Sequence, residues 1–174
     1  MPVIAAPFRY ALSTSSTSTS FTAQVPTTTE PSGAGIHNLY SAITGGVPEY
    51  LVLLPYGTNG DNDTFDFRVW GYNPTTDSTP VYIPQLLVDV SVVLGNIAAS
   101  LGSNTFLADT ITINDGQADN GPWSSKIDSQ EDLACSLIIH TRGCQYIKFD
   151  WDLAGGQEGV SMNCLWRPLD KVFQ

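Results

Sequence analysis

The sequence is short of positive charge. Only seven of its 174 residues are Lys or Arg, against 17 Asp or Glu, and the formal net charge at pH 7 is -10. A chain with this balance repels phosphate backbones and anionic lipid headgroups, because binding to either depends on neutralising their negative charge. We therefore expect no binding to nucleic acid and none to a membrane surface.

Long hydrophobic runs are also missing. No stretch of eighteen or more apolar residues occurs, which is the length that a transmembrane helix needs. The start, MPVIAAPFRYALSTSS, has neither the basic segment nor the continuous apolar segment of a secretory signal peptide. We expect a protein that neither spans a membrane nor follows conventional secretion.

Cysteine and histidine are scarce, and neither forms a pattern typical of a metal site. The three cysteines, Cys135, Cys144 and Cys164, cannot all pair within one chain, and none belongs to a C-x-x-C motif. We interpret them as reduced packing residues, with a disulfide or a redox role as the alternative. His37 and His140 have no neighbouring ligand at metal spacing, although His140 could pair with Cys135 or Cys144.

Patterns typical of catalysis are absent or incomplete. There is no G-x-S-x-G motif and no Gly-rich phosphate loop. Asp150 and Asp152 share a strand face and could act as an acid-base pair, but without a substrate cleft we interpret them as a solvated strand edge. The loop 57–63 (GTNGDND) resembles half of a calcium loop, and the loop 114–122 could hold a cation, yet ordinary turns use the same residues. We predict that the protein is not an enzyme and has no cofactor and no metal.

Strand signals dominate what is present. After Gly33, short apolar or alternating runs are separated by clusters of Gly, Pro, Asn and Asp, a pattern typical of all-β domains. The predicted strands are 50–56, 64–73, 81–94, 105–113, 133–141, 144–152 and 160–168, with a weaker one over 35–43 and short helical turns at 96–101 and 129–133. These elements predict an antiparallel β-sandwich of jelly-roll type.

Two of the predicted strands carry additional information. In 64–73, the residues Phe65, Phe67 and Val69 alternate with polar ones, which predicts that these three point inward. In 81–94, Pro84 removes one backbone donor, so we expect a bulge or a kink over Ile83–Gln85.

Residues 1–34 are predicted to be an extended Ser/Thr-rich N-terminal arm, and residues 35–174 the β-sandwich domain. Residues 13–32 are mostly Ser and Thr, with too little apolar surface to offset the entropy of folding alone. The first twelve residues are apolar and aromatic apart from Arg9, and they could either dock on a neighbouring molecule or fold back on their own domain.

Aromatic residues are numerous enough to stack a sugar or to anchor a protein interface. The candidates are Trp70, Tyr72, Tyr82, Trp123, Tyr146, Trp151 and Trp166. The corner Trp166-Arg167-Pro168 is the most typical of an interface, because it ends the last strand beside the basic residues Arg167 and Lys171.

Four segments, read in order, resemble a known family. They are FDFRVWGYNP, VYIPQLLVDVSVVLGN, ADTITINDG and FDWDLAGGQEGVSMNCLWRPLD. Together they resemble a group of small tailed-phage proteins encoded near head genes, over about residues 50 to 170. The long Ser/Thr arm departs from that pattern, which bears on how such a protein would attach.

The resemblance implies a head decoration, or cement, protein. Such a protein sits on the outside of the capsid as a homotrimer, is assembled in the host cytoplasm and binds the major capsid protein. The interface residues that we predict on this basis are Phe8, Arg9, Tyr10, Phe21, Trp166 and Arg167. A carbohydrate-binding sandwich and a tail or fibre adaptor of a virion are the alternatives.

Overall fold

The fold was analysed in a computed structural model of the chain. It describes residues 9–15, 24–33, 35–42, 46–58, 64–95, 105–113, 136–152 and 161–169. The strands are β1 (Arg9–Ser15), β2 (Ile36–Asn38), β3 (Tyr50–Thr58), β4 (Thr64–Pro74), β5 (Tyr82–Gly95), β6 (Thr105–Ile113), β7 (Leu137–His140), β8 (Tyr146–Asp152) and β9 (Ser161–Leu169), with the helical turn α1 (Leu39–Ala42) after β2. All strand pairs are antiparallel, which confirms the predicted all-β fold.

The strands follow one another in the order β1-β9-β3-β6-β5-β4-β8-β2, and β7 also pairs with β3. Strand β3 changes partner along its length: Tyr50–Leu53 pairs with β7 and Tyr56–Thr58 pairs with β6. The sheet folds over on itself, because the His37 ring on β2 lies 5.2 Å from the Trp166 ring on β9, although these strands are far apart in the order. The sandwich is thereby confirmed, whereas its jelly-roll connectivity stays a prediction.

The core lies between the two layers and follows the alternation of the strands. Phe65, Phe67 and Val69 are fully buried, as predicted from their spacing. The Phe67 ring stacks on Trp151 at 4.2 Å and on Phe149 at 5.9 Å, so β4 and β8 contribute one continuous aromatic layer.

The bulge in β5 does not lie where the sequence predicts it. Val69 faces Val88 and Trp70 faces Leu86, so the additional residue is Leu87 rather than one within Ile83–Gln85. Pro84 keeps its place in the register because the missing donor costs no bond to β4. The backbone N–H of Tyr82 points away from β4, and the nitrogen of Pro84, two residues further, lies on the same edge.

The weak strand predicted over 35–43 is also only partly present. β2 ends at Asn38, and α1 begins at Leu39, whose backbone N–H donates to the Gln145 carbonyl at 2.7 Å. Leu39 is fully buried in the core. The hydrogen bond continues the register of β2 with β8 by one residue, and the chain then turns into α1. The helical turns predicted at 96–101 and 129–133 lie outside the described residues.

Two of the cysteines can be described, Cys144 and Cys164, and both are buried free thiols. Burial raises the pKa of Cys144 to about 11, and it raises the pKa of Cys164 as well. Thiols of this kind stay protonated near neutral pH and pack as small hydrophobic groups. Cys135 lies outside the described residues.

The turn between β7 and β8 holds a strained residue. Arg142 and Gly143 both have positive φ angles, 54° and 71°, and the Cys144 N–H donates to the Thr141 carbonyl at 3.0 Å. These are the features of a type I′ turn, whose central positions favour Asn-Gly because a larger L-residue is strained there.

We therefore expect Arg142→Asn to raise the free energy of unfolding by about 1 kcal/mol, since the left-handed conformation costs an ordinary residue roughly that amount. Urea denaturation of the purified protein measures the change. Gly143→Ala, which puts a side chain on the other left-handed residue, should lower stability. A loss of stability in Arg142→Asn would show that the turn is not strained as described.

Candidate functional site on the outer face of β4, β5 and β8

Strands β4, β5 and β8 present a second face, away from the core, which we call the outer face. The register places Arg68 between Asp89 on β5 and Asp150 on β8. The next row places Asp66 between Ser91 and Asp152. Polar side chains from three strands are thus brought together, although they are far apart in sequence.

One half of the outer face is charged. Arg68 Nε donates to Asp89 Oδ2 at 2.7 Å, and Ser91 Oγ donates to the Asp66 carboxylate. Lys148 Nζ lies 3.7 Å from Asp150 Oδ2. With Asp152, this half contains four carboxylates against two cations, so it is negative overall. Within the described ranges, no three His, Cys, Asp or Glu residues are grouped so that they could hold a metal ion.

The other half of the outer face is aromatic. Tyr72, Tyr82 and Tyr146 form a buried cluster, and Trp70 packs against it. The rings of Tyr82 and Tyr146 meet edge to face, with centroids 5.7 Å apart. The sequence shows that these residues are present but not that they meet. The signal that could have found the cluster is the pair Trp70 and Tyr72 at alternate, outward positions of β4, because such residues need a cover.

That cover is residues 24–33, which we call the strap. The Tyr72 hydroxyl donates to Gln24 Oε1 at 2.7 Å, and Thr27 and Tyr82 exchange two backbone hydrogen bonds, at 2.7 and 3.1 Å. The Tyr146 hydroxyl donates to the Glu30 carboxylate. Part of the predicted arm therefore lies on the sandwich of its own chain. The domain boundary at residues 34 and 35 stays a prediction.

The tyrosine hydroxyls of the cluster are held in their protonated form. Burial, with a smaller contribution from the Asp150 charge, raises the pKa of Tyr72 to about 12. The pKa of Tyr146 is raised too, first by burial and then by its hydrogen bond to Glu30. Both hydroxyls therefore remain donors to the strap across the physiological pH range.

Four of the predicted interface residues come together at one end of the sheet. In the pairing of β1 with β9, Arg9 lies opposite Trp166, and Tyr10 lies opposite Leu165. Arg167 is the residue that follows Trp166 on β9. Phe8 and Phe21, the other two, lie outside the described residues. The strand β1 is the last in the sheet order, and no strand in the described part of the chain pairs with its second edge.

The indole of Trp166 is not at the surface. It is only 1% exposed and contacts the His37 ring, so in the free chain it offers no surface to a partner. Arg167 is partly exposed, on the same strand. At this end of the sheet, contact with a partner would therefore involve Arg167 and the strand β1 rather than the indole.

The two loops that could bind a cation lie almost wholly outside the described residues. Residues 59–63 and 114–122 lie outside the described residues, as does Trp123. Whether these segments hold a cation, as in the carbohydrate-binding alternative, stays a prediction.

Comparison with known proteins gives no assignment. No protein-family model, no curated protein and no solved structure matches the chain. In the part of the chain that is described, no helix has both the length and the apolar character needed to cross a membrane. The resemblance to phage decoration proteins stays a prediction.

Proposed function

We propose that this protein is a structural virion protein that binds the outside of a phage head and stabilises contacts between major capsid protein subunits. The observation that carries the proposal is the position of β1, at the end of the sheet and with an edge that no described strand covers. The sequence resemblance given above supplies the identity of the partner.

An uncovered strand edge is suited to binding another chain. It presents a row of backbone donors and acceptors, and a segment of the partner can add to the sheet there through main-chain hydrogen bonds. Two of the seven basic residues, Arg9 and Arg167, lie on the adjacent strands β1 and β9, one position apart in the register and so on opposite faces of the sheet. On a chain with a net charge of -10, basic residues at positions on both faces of this end of the sheet favour a partner segment that carries acidic groups.

Repetition on the shell would supply the affinity. A contact of standard size buries about 800 Å² on each partner, and symmetric copies on an icosahedral shell combine modest contacts through avidity. A homotrimer spanning a seam between capsid subunits would resist their separation by internal pressure. The chemistry is physical binding, with no reaction step and no cofactor.

The experiment is a co-sedimentation assay with heads of the encoding phage assembled without this protein. We expect the full chain to bind at a saturating number of copies, and Arg9→Gln to bind about five- to ten-fold more weakly, as for a significant interface residue. Arg142→Gln removes the same charge from the β7–β8 turn and should bind like the unchanged protein. Failure of the full chain to bind would overturn the proposal, and equal weakening by both substitutions would exclude the β1 edge as the contact.

A further inference from the structure

The strap lies on the sandwich without being buried in it. Of its ten residues, 24–33, seven are exposed, three are partly exposed and none is buried. Its valine, Val25, is 67% exposed, so the strap places little apolar surface in the core. Because the burial of apolar surface is the main favourable contribution to folding, the strap adds little to the stability of the sandwich.

Hydrogen bonds attach the strap to the tyrosine cluster at three points along its length, Gln24, Thr27 and Glu30. Their partners are two tyrosine hydroxyls and the backbone of Tyr82. Each such bond adds only modestly to stability, because its donor and acceptor bind water instead when the bond is broken. The closed strap nevertheless covers the cluster well, since none of the three tyrosines is more than 8% exposed.

The strap ends at glycines with left-handed backbone. Gly33, its last residue, has a φ of 115°, and Gly35 has a φ of 76°. Among the described residues, no atom beyond the chain neighbours of Gly33 lies within 4 Å of the place that a Cβ atom would take there. The conformation, and not crowding, therefore favours glycine at this position. After Gly35 the chain is fixed again, because the Phe149 N–H donates to the Gly35 carbonyl at 3.0 Å.

We infer that the strap is a lid on the tyrosine cluster, and that it opens about Gly33 and Gly35 while the sandwich stays folded. Opening breaks the hydrogen bonds of the strap, whereas β1 and β2 on either side keep their pairing with β9 and β8. Segments with little buried apolar surface open at a lower free energy than core strands. Residues at the end of an element absorb the change in φ and ψ, which glycine permits.

An open strap uncovers the rings and hydroxyls of the tyrosine cluster, so the strap determines whether this part of the outer face is accessible. The inference goes beyond the proposed function, because it concerns a face of the sandwich other than the β1 edge and does not need the phage head.

The test is native-state hydrogen exchange of the full chain, measured by NMR at increasing urea concentrations below the unfolding transition. The Thr27 and Tyr82 N–H groups report on the strap, since each donates to the other residue's carbonyl when the strap is closed. We expect both amides to be protected, but to exchange at least about ten-fold faster than the slowest amides of β4. Their exchange should depend little on urea, because opening the strap exposes little surface.

Gly33→Ala should speed the exchange of the Thr27 and Tyr82 amides by at least about five-fold, because it strains the closed strap and not the open one. Gly46→Ala is the matched control. Gly46 also has a positive φ, 144°, with nothing within 4 Å of the added atom, and it lies before β3, outside the strap. Val92→Ala, which removes buried volume from the core, is the second control.

Both controls should speed the slowest amides of β4, because they lower the stability of the whole sandwich. They should leave the Thr27 and Tyr82 amides unchanged, because the sandwich is intact whether the strap is open or closed. Tyr146→Phe keeps the ring and removes the donor to Glu30, so it should speed the strap amides by about five-fold.

Strap amides that exchange as slowly as those of β4, with an equal response to Val92→Ala, would overturn the inference, since the strap would then open only when the sandwich unfolds. Strap amides without protection would also overturn it, because the strap would not be closed. So would equal effects of Gly33→Ala and Gly46→Ala on these amides. Head binding plays no part in the measurement, so a failure here and a failure of the proposed function are distinguishable.

Discussion

Replacing Trp166 by alanine is expected to lower the free energy of unfolding by about 3–5 kcal/mol, the range for a buried Trp or Phe. The indole is almost completely buried and contacts His37 on the opposite end strand of the sheet. Its removal leaves a cavity between the two layers, because the surrounding strands are fixed by their backbone pairing and cannot close the space. Thermal or urea denaturation with a spectroscopic readout measures the loss.

Trp70→Ala is the control for this substitution. Trp70 is partly exposed to solvent and packs beside the tyrosine cluster on the outer face. Its replacement should therefore lower the free energy of unfolding clearly less than that of Trp166. A change of under about 1 kcal/mol in Trp166→Ala, the size of most surface substitutions, would contradict the burial and restore the sequence-based interpretation of Trp166 as an interface residue.

Gly71→Ala is expected to destabilise the fold by about 3 kcal/mol, at the upper end of the usual cost of overpacking a core. A Cβ atom at position 71 would lie 2.5 Å from Cys144 Sγ, 2.8 Å from Cys144 Cβ and 2.9 Å from Leu87 Cδ1. Strand β4, the bulge of β5 and the turn before β8 would have to move apart to admit one methyl group. Urea denaturation provides the measurement.

A double-mutant cycle makes this prediction specific. Cys144→Ala removes the sulfur atom that makes the shortest contact, so Gly71→Ala should cost less in that background than in the unchanged protein. Coupling between two neighbouring residues typically amounts to about 0.5–3 kcal/mol. Strict additivity of the two substitutions, or a stable Gly71→Ala protein, would show that position 71 has room for a side chain.

The positions of the strands can be predicted from the sequence, because they depend on neighbouring residues: the alternation of apolar and polar side chains and the turn-forming residues at the strand ends. The strand predicted over 64–73 is found at Thr64–Pro74, and that over 105–113 is found with the same bounds. In both, turn-forming residues mark the ends, and in the first the alternation also predicts which side chains are buried. The inward position of Phe65, Phe67 and Val69 needs no knowledge of the rest of the chain.

The features that the sequence does not reveal depend on distant residues. The bulge at Leu87 follows from the fit of β5 against β4 and of its side chain against Gly71. The strap is a polar segment by composition, and only the tyrosine hydroxyls of β4 and β8 give it a place to bind. Trp166 illustrates the same limit, since an aromatic residue beside an arginine is typical of interfaces and of cores alike.

The pairing of β1 with β9, the first and the last strand in chain order, has a consequence for how the chain acquires its structure. β3 requires β9 along its whole length, and β1, near the start of the chain, also pairs with β9, near its end. During synthesis on a ribosome, both earlier strands must wait until the last segment has emerged. Pairing across so large a sequence separation is slow, and it leaves strand edges uncovered in the meantime. We expect the nascent protein to depend on protection from aggregation until β9 is in place.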